Sequence, residues 1–391
     1  MRAANVVAAA AIMAAFLLRV WTVGVVDALA EMAGVAHYEW YARWRTAYSP
    51  LHIEVFASPP RLHEWLHPPL YAALRRGPQQ LEALYALATP EGDGVFSLPL
   101  LTPAFCRLLS EEMRHFAATG ANGAPPNDMN EHGVALADVG LGELAGALTV
   151  QVLTPLAAAL FAREAEGARG GQPYGPRPTE EEAAEAAAAV EGTCCQSHHA
   201  FVVEYDAAGQ PGLDMHHDAS DVTLNVNLAA EGVRGGQLHF CGFAGWPHHR
   251  RHSFAYQHQV GRAVIHLGSH RHGAANVTHG LRQNLILWGR AAAASDGGYM
   301  ASRPTRLHPH ELPPDTRCLS WTHDADYEQY LPLPAVALRR REKQREQAEL
   351  MDLVRQVTDS QISKLPEKYQ AIVRMLRHSQ TSQPSENITV E

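Results

Sequence analysis

Cysteine is scarce in this chain: Cys106, Cys194, Cys195, Cys241 and Cys318 are the five among 391 residues. Their number is odd, and their spacing shows neither a C-x-x-C pair nor a disulfide framework. That argues against structural zinc, and the cysteines identify no redox compartment. Charge is also thin, at 19%, with a formal net value of −9, so no nucleic-acid partner is expected, although basic stretches occur locally. Acidic residues are missing before Asp27. What is present in quantity is apolar residues, 46%, enough to bury the core of one large domain with appendages or of two domains. Histidine is abundant too, at 23 residues, so any metal chemistry should use nitrogen and oxygen ligands.

Residues 1–30 read as a targeting segment. Arg2 precedes an apolar run from Ala3 to Leu18, Arg19 interrupts it, and Val20 to Val26 continue it. A secretory signal or membrane anchor fits this profile, and the missing acids also suit an organelle transit peptide. The alanine content and Arg19 keep a plain soluble helix as the other reading. The secretory pathway or the membrane of the endoplasmic reticulum is favoured over an organelle or the cytoplasm. The N-terminal region, residues 31–94, is aromatic and polar from His37 to Leu87, shows no clear period, and is a candidate substrate surface.

Residues 95–290 are expected to form the principal domain, opening with helical support over 95–163. Val95 to Leu98 predict a short strand, and Thr102 with Pro103 predict the capped start of a helix whose Phe105, Leu108, Leu109 and Met113 share one face. A second helix is expected from Leu144 to Ala162, broken or kinked by Pro155. Residues 164–192, rich in Gly, Ala and Glu, read as a surface insertion. From Ala200 to Arg290 short strands bounded by glycines predominate, which predicts a barrel or sandwich. One of them, "DVTLNVNL", alternates Val222, Leu224, Val226 and Leu228 with Thr223, Asn225 and Asn227. Residues 291–336 are proline-rich loop. The helical tail, 337–391, carries stripes of Leu350, Leu353, Val354 and Val357 and of Tyr369, Ile372, Val373 and Leu376. Packing explains such stripes more simply than a partner, though a partner of these helices stays open, and the final dozen residues read as disordered.

The chemistry is concentrated in "DMHHDASDVTLNVNL". If His216 and Asp218 extend a strand, they share a face and His217 points away. A 2-His-1-carboxylate site then needs a third ligand from another strand, and His266, His270, His272 and His279 are the candidates. Arg282 stands in an otherwise apolar strand, "LRQNLILW", and needs an anionic partner. A dicarboxylate cosubstrate, paired bidentately at one end and chelating the metal at the other, meets that need.

His216-x-Asp218, "VTLNVNL", "GGQLHF" and His272 with Arg282 ten residues on resemble the 2-oxoglutarate- and Fe(II)-dependent oxygenases of the prolyl-4-hydroxylase type. Within them, "LPLLTPAFCRLLSEEMRHF", "PPNDMNEHGVALADVGL", "SHHAFVVEY" and "HGAANVTHGLRQNLILWGR" resemble most the 2-oxoglutarate and iron-dependent oxygenase domain-containing protein 2 group. The resemblance implies an α+β fold: a double-stranded β-helix (jelly roll) over residues 200–290, flanking helices and a helical C-terminal extension. It implies a metal site of His216, Asp218 and His272, with Arg282, Tyr205 and Asn284 as cosubstrate contacts. It implies Fe(II), 2-oxoglutarate and O2, with ascorbate as a further reductant, and hydroxylation of a protein or peptide side chain with release of succinate and CO2. The carboxylate at 218 favours hydroxylation over halogenation.

Two other classes compete. A non-catalytic jelly-roll binding module predicts a broken triad or a missing arginine, and neither is seen. A cupin-like metalloenzyme without 2-oxoglutarate predicts more histidine ligands and no Arg282. Other motifs have blander readings. "WPHHRRH", with His248, His249 and His252, reads as a solvated basic loop rather than a second metal site. A glycan on Asn276 would obstruct the strand between His272 and Arg282, which leaves Asn387 as the plausible acceptor.

Overall fold

Period-two alternation organises residues 197–290, because successive side chains of each strand point to opposite faces of its sheet. The structure, a computed structural model, describes residues 48–119, 125–127, 129–167, 195, 197–244, 247–290, 312–356, 358–363, 370 and 373. Residues 49–333 form one unit. A second unit is described chiefly by its helices Ala335–Gln356 and Asp359–Ile362.

The first unit opens with helices α1 (Leu62–Trp65), α2 (Pro68–Leu74) and α3 (Gln80–Leu87), in the stretch that showed no period. Strands β1 (Thr89–Gly92) and β2 (Val95–Pro99) follow, then α4 (Pro103–Ala118). Thr102 caps α4 as expected, its Oγ1 accepting from the Phe105 N–H at 3.3 Å, with Pro103 in the first turn. After β3 (Gly133–Ala135) and α5 (Leu136–Val139), the expected long helix is α6 (Gly142–Leu148), a π turn (Thr149–Leu153) and α7 (Thr154–Gly167). Pro155 neither ends nor breaks it. The turn ahead of the proline widens instead, the Thr154 N–H reaching back to Thr149 O. Gly142–Phe161 is long and apolar enough to cross a membrane, but 67% of its most apolar window is buried inside the protein, as befits a core helix.

Eight strands follow: β4 (Ser197–Asp206), β5 (Leu213–His216), β6 (Val222–Gly235), β7 (Leu238–Phe243), β8 (Phe254–Tyr256), β9 (Arg262–Leu267), β10 (His270–Ala274) and β11 (Val277–Arg290). They form two antiparallel sheets, β1-β2-β9-β6-β11-β4-β3 and β5-β10-β7-β8. This is a double-stranded β-helix, or jelly roll. Phe201, Val203 and Ile286 of the larger sheet meet Leu238, Phe240 and Ala274 of the smaller one in the interior. The opposite face of the larger sheet lies under α4, where Ser110 Oγ donates to Gln283 Oε1 at 2.5 Å.

Three expectations are corrected. Cys241 and Cys318 form a disulfide, across 77 residues of sequence that spacing rules do not connect. Arg250 of the basic loop is 2% exposed and pairs bidentately with Asp326, so that loop is not simply solvated. The described part of 291–336 is a strap containing a turn of 3-10 helix, Thr316–Cys318, and a short helix, Tyr327–Tyr330. The readings of residues 1–30 and of the insertion beyond Gly167 lie outside the described residues. Of the tail stripes, Leu350, Leu353 and Val354 fall within the helix Ala335–Gln356, Val373 is buried, and Val357, Tyr369, Ile372 and Leu376 lie outside the described residues.

Candidate metal centre

His216 ends β5, and His272 sits opposite it in register on β10. Asp218 lies beyond the end of β5, so a turn rather than strand alternation brings it to the histidines. That turn is held by the Asp218 N–H donating to Gly268 O at 2.9 Å, and the Gly268 N–H donating to Asp221 O at 2.9 Å. The result is a group of His216, Asp218 and His272 whose donor atoms all lie within 4.8 Å of one another and could hold a metal ion. His216 Nε2 is 3.3 Å from one Asp218 oxygen, and His272 Nε2 is 3.6 Å from the other. His266 and His270 are buried behind the triad, and His279 is exposed.

The donor set fits iron(II). Each ligand histidine uses Nδ1 on a backbone carbonyl, His216 on Asp214 O at 2.8 Å and His272 on His270 O at 2.9 Å. Nδ1–H therefore donates, which leaves the Nε2 lone pair for a metal. Burial pushes the Asp218 carboxyl up, but His272 and His216 beside it outweigh burial and hold it well below the carboxylate range. Thr223 Oγ1 donates to Asp218 Oδ2 at 2.5 Å. Burial lowers His272 to about 4, against the pull of Asp218.

A cavity extends from the triad to Arg282. Arg282 is 2% exposed, its Nη1 donates to Gly236 O, and its Nε is buried with no hydrogen-bond partner among the described residues. Among the described residues no carboxylate pairs with it, and burial lowers its pKa while Tyr205 opposes the shift. Tyr205 is its direct cross-strand neighbour, with the guanidinium 4.6 Å from the ring centroid. Burial pushes the Tyr205 phenol up to about 12, so it stays protonated, and its hydroxyl donates to Asn130 at 3.0 Å. Asn284 shares the inward face of β11 but does not line the cavity; its amide is engaged by Asn225 at 2.5 Å and Asn227 at 3.1 Å.

Several cavity residues were not singled out in the sequence. Thr223 and Asn225 line it from the polar face of β6, and Asn130 reaches it from the loop before β3. The alternation in "VTLNVNL" held the signal for the first two, since polar residues on a strand buried on both faces require an interior polar function. Trp288 lines the cavity as well, and its indole N–H is buried with no acceptor among the described residues. No residue from 48–87 contributes, so the candidate substrate surface there lies away from this cavity.

A jelly roll thus carries two histidines and a carboxylate that could hold a metal ion at one end of a cavity, and a buried arginine suited to an anionic group at the other. Comparison with known proteins points to a family. Residues 45–166 match the family described as the OGFOD2-like domain. The chain is 30% identical over 266 residues to the 2-oxoglutarate and iron-dependent oxygenase domain-containing protein ICU11 of Arabidopsis thaliana, covering 66% of this chain and 59% of that one. It is 33% identical over 200 residues to domain-containing protein 2 of Homo sapiens, covering 51% and 49%. A shorter match, 41% over 93 residues, covers 22% of this chain and 9% of the procollagen lysyl hydroxylase and glycosyltransferase of Acanthamoeba polyphaga mimivirus. The chain is thus related to the 2-oxoglutarate and iron-dependent oxygenase domain-containing proteins, and it spans about half to three-fifths of the length of these first two relatives.

Proposed function

We propose that the chain is an Fe(II)- and 2-oxoglutarate-dependent dioxygenase that hydroxylates a protein or peptide side chain, releasing succinate and CO2. Arg282 carries this reading. A buried guanidinium with no anionic partner among the described residues is costly, and a ligand carboxylate removes that cost. His216, Asp218 and His272 would hold the iron, which with 2-oxoglutarate, O2 and ascorbate as reductant supplies the oxidative chemistry. Arg282 binds the far carboxylate of 2-oxoglutarate, and Tyr205 packs against the guanidinium to aim it. The walls formed by Phe201, Val203, Leu213 and Ile286 exclude water. The Trp288 N–H is free to donate to a substrate carbonyl, which suits a peptide, as does the likeness to a protein whose name includes procollagen lysyl hydroxylase. The buried Cys241–Cys318 disulfide supports an oxidising compartment; recovery from cells in the cytosolic fraction with both thiols reduced would overturn that part.

The deciding experiment is an anaerobic titration of purified protein with Fe(II) and then 2-oxoglutarate, followed by the visible metal-to-ligand charge-transfer band. A saturable band, lost in His272→Ala and weakened in Arg282→Ala, is expected, together with succinate formation when O2 is admitted. Folded, iron-loaded protein that shows no band would eliminate the proposal.

A further inference from the structure

Outside the four-stranded sheet, residues 312–327 run as a strap that the jelly-roll motifs do not include. Four of its ties bear on the sheet and the loop beside it. Cys318, fully buried, is bonded to Cys241 of β7. Arg271 of β10 donates from Nε to Cys318 O at 2.8 Å and from Nη2 to Asp324 at 2.7 Å. Asp214 of β5 accepts at one oxygen from Ser320 Oγ at 2.8 Å, from the Thr322 N–H at 3.0 Å and from Thr322 Oγ1. Arg250 grips both oxygens of Asp326, at 2.7 and 3.1 Å.

Two of these ties fall on the peptides that orient the histidine ligands. Asp214 itself supplies the carbonyl that accepts from His216, and the peptide joining His270 to Arg271 supplies the one that accepts from His272. A bulge in β5 makes this arrangement. Its register against β10 runs from His216↔His272 to Leu213↔Ala274, which places one more residue on β5 than on β10 between the pairs. Leu213 and His216 therefore line the cavity, while Asp214 bonds the strap and Met215 packs with Cys241 and Cys318. Gly273 accommodates the bulge, because a Cβ there would lie 3.1 Å from Leu213 O and from Met215 Sδ. Neither Asp214 nor Arg271 lines the cavity, so neither touches cosubstrate or metal.

We propose that the strap is a clamp for the metal centre: through Asp214 and Arg271 it holds the two peptides whose carbonyls fix the tautomer and aim of His216 and His272, with Cys241–Cys318 as its covalent anchor. The inference rests on the reading of the triad as a metal site. A carbonyl that drifts lets its imidazole rotate or move its proton to Nε2, and either change weakens the metal bond. Asp214 and Arg271 are thus positioning residues, and reduction of the disulfide loosens the centre without touching a ligand.

The test is an anaerobic titration of the full chain with Co(II), whose visible bands report both affinity and coordination geometry. The proteins are wild type, Cys318→Ser, Asp214→Ala and Asp214→Asn, the last retaining an acceptor for the Thr322 N–H. Wild type is also measured after treatment with a phosphine, which takes oxygen from water while the disulfide gains two electrons and two protons to become two thiols. The phosphine is then removed and the protein later reoxidised. Cobalt binding about 10- to 100-fold weaker is expected for Cys318→Ser, Asp214→Ala and the reduced protein, with altered bands. Asp214→Asn recovers part of the loss, and reoxidation recovers the wild-type signal. If Asp214→Ala does not fold, the reduction and reoxidation arm decides alone. Wild-type affinity and bands in Cys318→Ser and in reduced protein, even with a lowered unfolding temperature, would reduce the strap to a brace and overturn the inference. Absence of a cobalt band in folded, oxidised wild type would instead overturn the metal reading, and the clamp with it.

Discussion

At the scale of single residues, the hydroxyl of Thr223 does more than fill space. It donates to Asp218 Oδ2 and is itself 2.8 Å from Ser220 Oγ, so the carboxylate is held in one rotamer by a short polar chain. Thr223→Val keeps the shape and removes the donor. A 10- to 100-fold loss of metal affinity is expected from an outer partner of this kind, measured by Fe(II) or Co(II) titration, with the unfolding temperature little changed. Unaltered affinity would show that Asp218 needs no such support. Arg282→Lys probes the other end of the cavity. Lysine keeps the charge but loses the fork, so 2-oxoglutarate should bind at least tenfold more weakly while metal affinity is retained, as calorimetric titration of the metal-loaded protein would show. Equal 2-oxoglutarate affinity would mean that a point charge suffices. The residues that carry an unusual chemical demand were legible in the sequence: a histidine and an aspartate bracketing one position, and an arginine in an apolar strand. Thr223 and Asn130 were harder to see, because a hydroxyl and an amide are ordinary anywhere and acquire a role only when folding brings them to the cavity.

At the scale of elements, the strands and α4 were readable because alternation and capping are local. The turn carrying Asp218 was not, since its conformation depends on the distant segment around Gly268. A Cβ on Gly268 would fall 1.8 Å from the Ser220 carbonyl oxygen, a backbone atom that cannot swing aside. Gly268→Ala must therefore push apart the turn that holds the Asp218 N–H. A cost of roughly 1–3 kcal/mol in urea unfolding is expected from such overpacking, accompanied by loss of metal binding under native conditions. Full metal binding in this variant would show that the turn tolerates displacement. The strap and its disulfide were illegible for the same reason as the turn. Cys241 and Cys318 look unrelated in a linear reading, and only the return of the chain past β11 brings them together. Pro155 shows the converse case: the sequence marked a disturbance, and the helix absorbed it as a π turn rather than a break.

At the scale of the whole molecule, every described element that shapes the site lies within residues 49–333, the unit that holds both sheets, α4, α7 and the strap. Its interior is continuous from Val95 on the larger sheet through Phe201 and Phe240 to Ala274 on the smaller one. Phe240 is fully buried, and its ring centroid lies 5.7 Å from that of His272, so stability and site geometry share the same packing. A chain limited to residues 49–333 is therefore expected to fold cooperatively by thermal unfolding and to bind metal and 2-oxoglutarate with the affinity of the full chain. If it folds but binds several-fold more weakly, residues outside this unit complete the site. If it cannot be recovered folded, the core is not self-sufficient. Phe240→Ala in the same chain separates the two contributions: truncation of a fully buried phenylalanine costs about 3–5 kcal/mol. Because the lost ring also abuts His272, metal affinity should fall along with stability, whereas a comparably destabilising truncation at Phe116 on α4, buried away from the cavity, should lower the unfolding temperature and leave metal affinity unchanged.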